Sequence, residues 1–333
     1  VLSNNVPPSH TRIRAVVNRL FTPRRMQEME APIRQVTERR ITGLIDALAE
    51  GGPVDIVAEV TYDLPAEVLL ILLGVPLADV AQVKAWGGNR LKLYYGRTTE
   101  AEQLAMADNL IAFWHYTKAL VARKAVDPQH DLTSDLIRAR HGDDSVLTIN
   151  EIASCMITLL VAGHETTTAA LSNGLLHLLA EPEWWQALCA EPARIPNAVE
   201  EILRFDPSVC TWRRKVAEEA TIDGVTVPAG ADLLLALNAA NRDRAHFPEP
   251  DRFAIDRANA REHLAFGYGI HFCVGAPLAR LEAKIVLEEL TRRLPDLRLV
   301  DGQPFVYTPN ISFRGPQRLW VTVGQRSSTE FSP

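Results

Sequence analysis

One cysteine in this chain lies in a context that suits a metal-binding thiolate. Cys273 follows a glycine-punctuated loop and precedes Ala276-Pro277, where a helix is predicted to begin. Proline is favoured in the first turn of a helix, because its missing N–H would be unpaired there anyway. The free N–H groups and the positive dipole end at such a start favour a thiolate over a thiol. Gly267 and Gly275 allow bent backbone that brings main-chain amides close to the sulfur.

Two other interpretations of Cys273 exist. A free cysteine is often a small buried hydrophobic residue, and a zinc site needs further ligands at short spacing, of which only His271 is near. The complete pattern F-G-x-G-x-H-x-C-x-G, from Phe266 to Gly275, is far rarer than its parts. It resembles the haem-binding loop of the cytochrome P450 family. The resemblance implies that Cys273 is the axial ligand of the iron of haem b, in a loop shaped by Phe266, Gly267 and Gly275.

A run of polar residues interrupts the long apolar helix that is predicted over residues 149–180. Ala162-Gly163 and the residues after them place polar side chains where burial is costly unless something uses them. A solvent-facing stripe, or a kink with threonines bonded back to carbonyls, would also explain them. The segment resembles the A-G-x-[DE]-T motif of the family's distal helix. The resemblance implies that Ala162 and Gly163 face the cofactor and that Glu165 and Thr166 deliver protons for the cleavage of dioxygen, while His164 falls at a variable position.

An acid and an arginine at i,i+3 spacing, Glu201 and Arg204, follow in the helix predicted over residues 194–205. Such pairs are common and contribute only tenths of a kcal/mol when exposed. The family has an E-x-x-R pair at this place, completed by a second arginine in a P-x-R-F-like segment. Pro250–Phe253 offers that segment here, so the resemblance implies a buried structural triad of Glu201, Arg204 and Arg252.

A haem carries two propionates, which need cations and hydrogen-bond donors. Each candidate residue could equally be an ordinary surface cation. The order of the candidates along the chain matches the family, and the resemblance therefore implies propionate contacts from His10, Arg14, Arg214 and His271.

Substrate contacts are inferred from family position alone, and core packing explains the same residues equally well. The resemblance places an apolar pocket at Thr158, Val161, Ala162, Val209, Trp212, Ile311 and Phe313.

These residues need a fold that positions them, and apolar spacing of three and four residues predicts a helix-rich one. Helices are predicted at roughly 9–20, 23–50, 63–74, 78–95, 98–126, 149–180, 194–205 and 276–293. Strands are predicted near 214–216, 220–222, 225–227, 232–237, 296–300, 304–307 and 318–323. The expected class is mainly α with smaller β-sheets (α+β), as a single domain over residues 1–333. Its helix-rich body would span about 1–206 and its β-containing, haem-loop region about 207–333.

Composition limits the function further. The chain of 333 residues is 47% hydrophobic and 23% charged, enough for a large core. A net charge of −6 argues against nucleic-acid binding. Four separated cysteines favour a reducing compartment, hence the cytoplasm. No apolar run approaches the roughly 18 residues that a transmembrane helix needs.

The resemblance as a whole implies a bacterial-type haem monooxygenase that inserts one oxygen atom of O₂ into a small or medium apolar substrate. It implies an N-terminally incomplete chain, because the family has structure before the His10 helix that is not found here. A monomer is expected to take electrons from a separate ferredoxin and its reductase, docked on a basic patch formed by Arg12, Arg19, Arg24, Arg25 and Arg280. A peroxide-driven peroxygenase and a non-catalytic haem-binding protein are the alternatives.

Overall fold

The computed structural model describes residues 2–324 and is mainly helical, which confirms the predicted class. Its α-helices are α1 (Ser9–Leu20), α2 (Pro23–Ala49), α3 (Leu64–Leu73), α4 (Val80–Tyr95), α5 (Glu100–Val126), α6 (Leu132–Ala139), α7 (Ile149–Ala180), α8 (Pro182–Ala190), α9 (Ile195–Phe205), α10 (Leu237–Ala240) and α11 (Ala276–Arg293). All eight predicted helices are confirmed, with ends that differ by at most two residues. The short helices α6, α8 and α10 were not predicted.

Local sequence explains where the central helix begins. The Thr148 hydroxyl accepts a hydrogen bond from the Glu151 amide at 3.1 Å, and the Glu151 carboxylate accepts one from the Thr148 amide at 2.8 Å. This reciprocal capping box satisfies two amides that the first turn leaves unpaired. The same device, from Thr99 and Glu102, begins α5. A helix of 32 residues therefore has a defined start, and its end is fixed by Glu181-Pro182.

Within residues 2–324, the strands are short and form three small antiparallel sheets. They are β1 (Val54–Asp55), β2 (Thr211–Lys215), β3 (Ala220–Ile222), β4 (Val225–Val227), β5 (Asp232–Ala236), β6 (Arg298–Leu299) and β7 (Trp320–Thr322). The sheets are β1–β7–β6, β2–β5 and β3–β4. The strand predicted at 304–307 is wrong: Tyr307 makes only an isolated bridge to Pro316 there. Strand β1 was not predicted.

Helix α7 is the centre of the molecule. It packs against α3, α4, α5 and α9, while α2 packs against α11. One hydrophobic cluster extends from Leu2 to Val321 and includes side chains of each of these helices. Because both ends of the described chain join this cluster, the helical body and the β1–β7–β6 sheet share one core. Among residues 2–324, no helix has both the length and the apolar character that crossing a membrane requires.

Candidate active site

The Cys273 loop folds back on itself before α11 begins. The Cys273 amide donates to the Phe266 carbonyl at 2.9 Å, which closes the loop. Gly267 and Gly269 both have φ of 71°, a left-handed conformation that glycine adopts without steric cost. Helix α11 starts at Ala276, as predicted. The cysteine is therefore held at the start of a helix by a defined backbone path.

Polar groups converge on the Cys273 sulfur. Burial raises the pKa of this thiol, and four groups act against that rise: the amides of Gly275 and Ala276 and the charges of Arg14 and Arg280. Donors and cations stabilise a sulfur that carries negative charge. The surroundings of Cys273 thus combine desolvation with stabilisation of a thiolate.

The other cysteines have ordinary buried surroundings. All four are free thiols, and burial raises the pKa of Cys155 to about 12 and that of Cys210 to about 11. Burial also raises the pKa of Cys189, which is only half-buried. These three behave as small apolar residues.

Helix α1 brings two of the predicted propionate contacts, His10 and Arg14, to this loop, which itself carries the third, His271. Arg14 donates to the Phe272 carbonyl, next to Cys273. The His10 ring lies 4.3 Å from that of His271, centroid to centroid. His10 is 2% exposed, and neither of its ring nitrogens has a hydrogen-bond partner within residues 2–324. Burial, with the charges of His271 and Arg14, lowers the His10 pKa.

Arg214, the fourth predicted propionate contact, lies apart from His10, Arg14 and His271. It lies on β2, opposite Leu233 of β5, and its exposed guanidinium donates to the Arg213 carbonyl at 2.9 Å. In the part of the chain that the structure describes, no contact joins Arg214 to His10, Arg14 or His271.

The middle of α7 exposes one side of an otherwise buried helix. Ala162 is exposed, whereas Leu160 and Val161, which directly precede it, are buried. The Thr166 hydroxyl donates to the Ala162 carbonyl at 2.6 Å. That bond uses the only hydroxyl proton and leaves the oxygen lone pairs of Thr166 free to accept.

The reason for the glycine at position 163 differs from the prediction. A Cβ at Gly163 would lie 2.7 Å from Cδ1 of Leu69, which belongs to α3. The glycine therefore allows α3 to approach α7, and the space beside it is filled by a leucine. At this level of the helix, Ala162 and Thr166 form the open side.

Glu165 has two basic neighbours, His164 and Lys84, to which the A-G-x-[DE]-T motif gives no role. The Nε2 atom of His164 lies 3.2 Å from Oε1 of Glu165. Burial raises the Glu165 pKa, but contact with His164 and the charge of Lys84 outweigh burial and leave the pKa below its usual value. Lys84 of α4 is buried, and burial lowers its pKa to about 8. Nothing in the sequence of α4 marks Lys84 as buried, because lysines are common on helix surfaces.

The buried network around Glu201 corrects one predicted residue. Arg204 donates to both carboxylate oxygens of Glu201, at 2.7 and 2.8 Å, as predicted for this pair. The second arginine is Arg257, whose Nε lies 3.1 and 3.2 Å from the same oxygens. The side chain of Arg252 is 60% exposed and faces Glu249. Arg252 contributes only its carbonyl, which accepts from Arg204 and Arg257, because the chain turns between the two positions.

The predicted basic patch is largely neutralised by neighbouring acids. Glu200 is almost fully buried and accepts from Arg280 at 2.8 Å. Burial raises the pKa of Glu200, but His263, Arg280 and Arg261 lower it to about 2. Ion pairs also join Arg12 to Glu151, Arg24 to Glu28 and Arg25 to Asp135. Arg19 is exposed.

Several of the predicted substrate contacts lie together around the start of β2. Val209 forms a backbone bridge with Phe313. Trp212 and Phe313 both contact Tyr95, at centroid distances of 6.2 and 5.3 Å. The Ile311 carbonyl accepts from Thr211, and the Ile311 side chain is exposed. Sequence reasoning missed Tyr95, which ends α4.

The two remaining predicted contacts belong to α7. The Thr158 hydroxyl donates to the Ser154 carbonyl at 2.8 Å, and Val161 is buried. Among residues 2–324, no contact of either with the Tyr95 cluster is described.

Comparisons with known proteins give one consistent result. The cytochrome P450 family model matches residues 107–295. A vitamin D(3) 25-hydroxylase of Pseudonocardia autotrophica is 40% identical over 97% of this chain and 77% of its own length. A 6-deoxyerythronolide B hydroxylase of Saccharopolyspora erythraea is 38% identical over 95% and 76%. The solved structure of cytochrome P450 CREJ in complex with (4-ethylphenyl) dihydrogen phosphate is 41% identical, with a TM-score of 0.92 over 97% of this chain and 79% of that one.

A helix-rich fold, a cysteine held before a helix among amides and arginines, and these relatives define a haem-thiolate protein. The chain belongs to the cytochrome P450 family, of the bacterial type. It is a monooxygenase that uses haem b and acts on an organic substrate with O₂ and electrons from a redox partner. The predicted family, enzyme class and cofactor are confirmed.

The residues present fit a haem. The sulfur of Cys273 is surrounded by groups that stabilise a thiolate. The buried ring nitrogens of His10, which have no partner among the described residues, suit the carboxylate of a propionate. The charge of Arg14 acts on His10, and the open side of α7 at Ala162 is small and apolar.

Proposed function

We propose that this monooxygenase binds its haem iron through Cys273 and inserts one oxygen atom of O₂ into a small or medium apolar substrate. The observation that carries this proposal is the set of amides and arginines around the Cys273 sulfur. A bound haem supplies the oxidation chemistry, and the protein supplies orientation and electrostatics. Phe266, Gly267 and Gly275 hold the loop that presents the sulfur.

Glu165 and Thr166 form the proton-delivery pair of the proposal. The free lone pairs of the Thr166 oxygen can accept a proton donor in the open space beside Ala162. The Glu165 carboxylate lies one residue earlier on the same turn, and its lowered pKa keeps it ionised, which is the form that can accept a proton. Retention of both residues favours reaction with O₂ over the peroxide-driven alternative.

His10, Arg14, Arg214 and His271 are proposed to hold the haem propionates. Three of them meet beside the Cys273 loop, which supports a shared site for one carboxylate. Arg214 lies on β2 with an exposed guanidinium, which supports a contact from a second direction. Ala162 and Gly163 of α7 would line, with their backbone atoms, the side of the haem site away from Cys273.

The substrate pocket is proposed to include Val209, Trp212, Ile311 and Phe313, with Thr158, Val161 and Ala162 contributed by α7. The aromatic rings of Trp212 and Phe313 meet around Tyr95, which supports an apolar, flat-walled space. Tyr95 joins the proposed set.

The proposal also covers the redox partner, the cellular compartment, the domain organisation and the oligomeric state. A ferredoxin-type protein and its reductase supply the electrons, and the exposed side chain of Arg19 supports the predicted docking patch. The four free thiols support a reducing compartment, the cytoplasm. The shared core supports a single domain, and we propose a monomer.

The ligand assignment is tested with Cys273→Ala. The reduced, carbon monoxide-bound enzyme has an absorbance band specific to thiolate ligation, and the variant should lose it. Cys210→Ala, at another buried cysteine, is the matched control and should keep the band. Persistence of the band in Cys273→Ala would contradict the assignment.

The proton-delivery role is tested with Thr166→Ala. Removing the hydroxyl should lower the product formed per electron consumed by about tenfold or more, a conservative figure beside the roughly 10²- to 10⁴-fold that general acid–base catalysis contributes. Thr167→Ala is the control, because its hydroxyl donates to Gly163 on another side of α7. Equal coupling in Thr166→Ala and the wild type would remove Thr166 from the mechanism.

A further inference from the structure

Three arginines near the proposed substrate pocket have no acidic partner among residues 2–324. Arg90 belongs to α4 and is half-buried, whereas Arg213 and Arg214 are exposed on β2. The proposed haem contacts use Arg214 and leave Arg90 and Arg213 without a role. Cations that are grouped in this way, in a chain with a net charge of −6, create a local positive potential that attracts negatively charged ligands.

The neighbouring lysines of the same two elements are paired. Lys92, two positions further along α4, lies 2.9 Å from a carboxylate oxygen of Glu102. Lys215, two positions further along β2, lies 3.1 Å from a carboxylate oxygen of Asp232. Acidic residues are therefore present on both elements, and the lack of a partner is specific to the two arginines.

Aromatic rings connect the two arginines. The guanidinium carbon of Arg90 lies 5.7 Å from the centroid of the Tyr94 ring, and that ring lies 6.4 Å from the ring of Tyr95. Tyr95 in turn contacts Trp212, the residue before Arg213, at a centroid distance of 6.2 Å. The two cations thus approach Tyr95 from α4 and from β2.

The Tyr95 hydroxyl is a third donor at the same place. Burial raises the pKa of Tyr95. The charges of Arg213, Arg90 and Arg214 act against that rise in pKa, and Arg213 acts most strongly. The hydroxyl makes no hydrogen bond with any residue that the structure describes, although tyrosine hydroxyls that leave water usually have a partner. Two guanidinium groups and one hydroxyl therefore lie close together without an acceptor in the described chain.

We propose that the substrate carries an anionic group, a carboxylate or a phosphate, that binds to Arg90, Arg213 and the Tyr95 hydroxyl. The proposal rests on the proposed substrate pocket and adds a charged end to its apolar occupant. Guanidinium groups bind both kinds of oxyanion through paired N–H donors. The rings of Trp212 and Phe313 hold the apolar body of the substrate, because both rings contact Tyr95. Binding of the charged end fixes which part of the apolar body faces the haem.

The anionic group is tested with three probes of equal chain length: octanoate, octyl phosphate and 1-octanol. Titration calorimetry of the holoenzyme gives a Kd for each probe. We expect the preferred anion to bind about tenfold or more tighter than the alcohol, because hydrogen bonds to charged groups contribute more than those between neutral groups. The ratio of the two anions separates a carboxylate from a phosphate site. Equal affinity for all three probes, or no binding of either anion, would overturn the proposal.

Charge variants locate the binding site. Arg90→Gln and Arg213→Gln should each weaken binding of the preferred anion about tenfold and leave the Kd of 1-octanol unchanged. Lys92→Gln and Lys215→Gln remove a charge from the same two elements and should leave both constants within about twofold of the wild type, because exposed ion pairs contribute little. An equal effect in the arginine and lysine variants would indicate a diffuse charge effect and contradict the site.

The carbon monoxide-bound spectrum separates this proposal from the proposed function. All four variants should keep the thiolate-specific band and the haem content of the wild type. If Arg213→Gln instead lost haem and bound the anion as tightly as the wild type, Arg213 would belong to a haem propionate and the substrate role would be wrong. A wild type without the thiolate-specific band would contradict the proposed function, and the probe affinities would still decide whether the anion site exists.

Discussion

At Glu201, one fully buried carboxylate is shared by two arginines and a backbone amide. Arg204 and Arg257 donate to its two oxygens, and the Ala254 amide donates to Oε1 at 2.9 Å. Arg204 also donates to the carbonyls of Asn241 and Pro250. Buried charges are tolerated when they are paired and their remaining donors are satisfied, and this network meets both conditions.

The network predicts opposite outcomes for two nearby arginines. Arg257→Ala should lower the free energy of unfolding by about 3 kcal/mol, because it removes one partner from a buried carboxylate. Arg252→Ala should change it by less than about 0.5 kcal/mol, because its side chain is exposed and its carbonyl remains. Urea unfolding of the two variants makes the comparison. A larger loss of stability in Arg252→Ala than in Arg257→Ala would instead support the predicted triad of Glu201, Arg204 and Arg252.

Sequence alone favoured Arg252 because it fits a P-x-R-F pattern, and the failure has a physical cause. Which arginine reaches Glu201 depends on the path of an irregular segment, where no periodicity relates position to direction. The pair Glu201–Arg204 was predictable, since both residues belong to one helix. The position of Cys273 in a bent loop before a helix was also predictable from local sequence, because nearby glycines and Pro277 determine it.

At the scale of elements, helices with clear caps and long apolar periodicity were predicted almost to the residue, as α7 shows. Strand β1 was not predicted, because a strand of two residues is too short to show an alternation of apolar and polar side chains. It exists because β7, about 265 positions later, pairs with it: Val54 lies opposite Val321. Asp55 reinforces the pairing, as its Oδ1 accepts from the Leu319 amide at 2.9 Å and from the Val57 amide at 3.1 Å.

Because Asp55 joins β1 to a segment far away in the chain, its substitution should lower stability measurably. Asp55→Ala should lower the free energy of unfolding by about 1 to 3 kcal/mol, because two amides lose their acceptor. Asp55→Asn keeps one oxygen and should lose less. Asp232→Ala, at an exposed aspartate of β5, should stay within about 0.5 kcal/mol of the wild type. Thermal or urea unfolding measures all three, and equal effects at positions 55 and 232 would contradict the prediction.

At the scale of the whole molecule, the shared core predicts cooperative unfolding. Side chains from Leu2 to Val321 belong to one hydrophobic cluster, so the helical body and the sheet region should lose structure together. Far-UV circular dichroism and tryptophan fluorescence of the holoenzyme should give the same midpoint. Asp55→Ala should shift both signals equally. Two separated transitions would indicate that the regions around 1–206 and 207–333 are independent domains.

The aromatic contacts of Tyr95 join three segments that are distant in the chain: the end of α4, strand β2 and the turn before β7. Residues in direct contact show non-additive effects when they are substituted together. Directed evolution of this enzyme that saturates Tyr95, Trp212 and Phe313 one at a time would discard each change that needs a compensating neighbour. A combinatorial library over all three positions would recover such sets, and with them substrate ranges that stepwise selection does not reach.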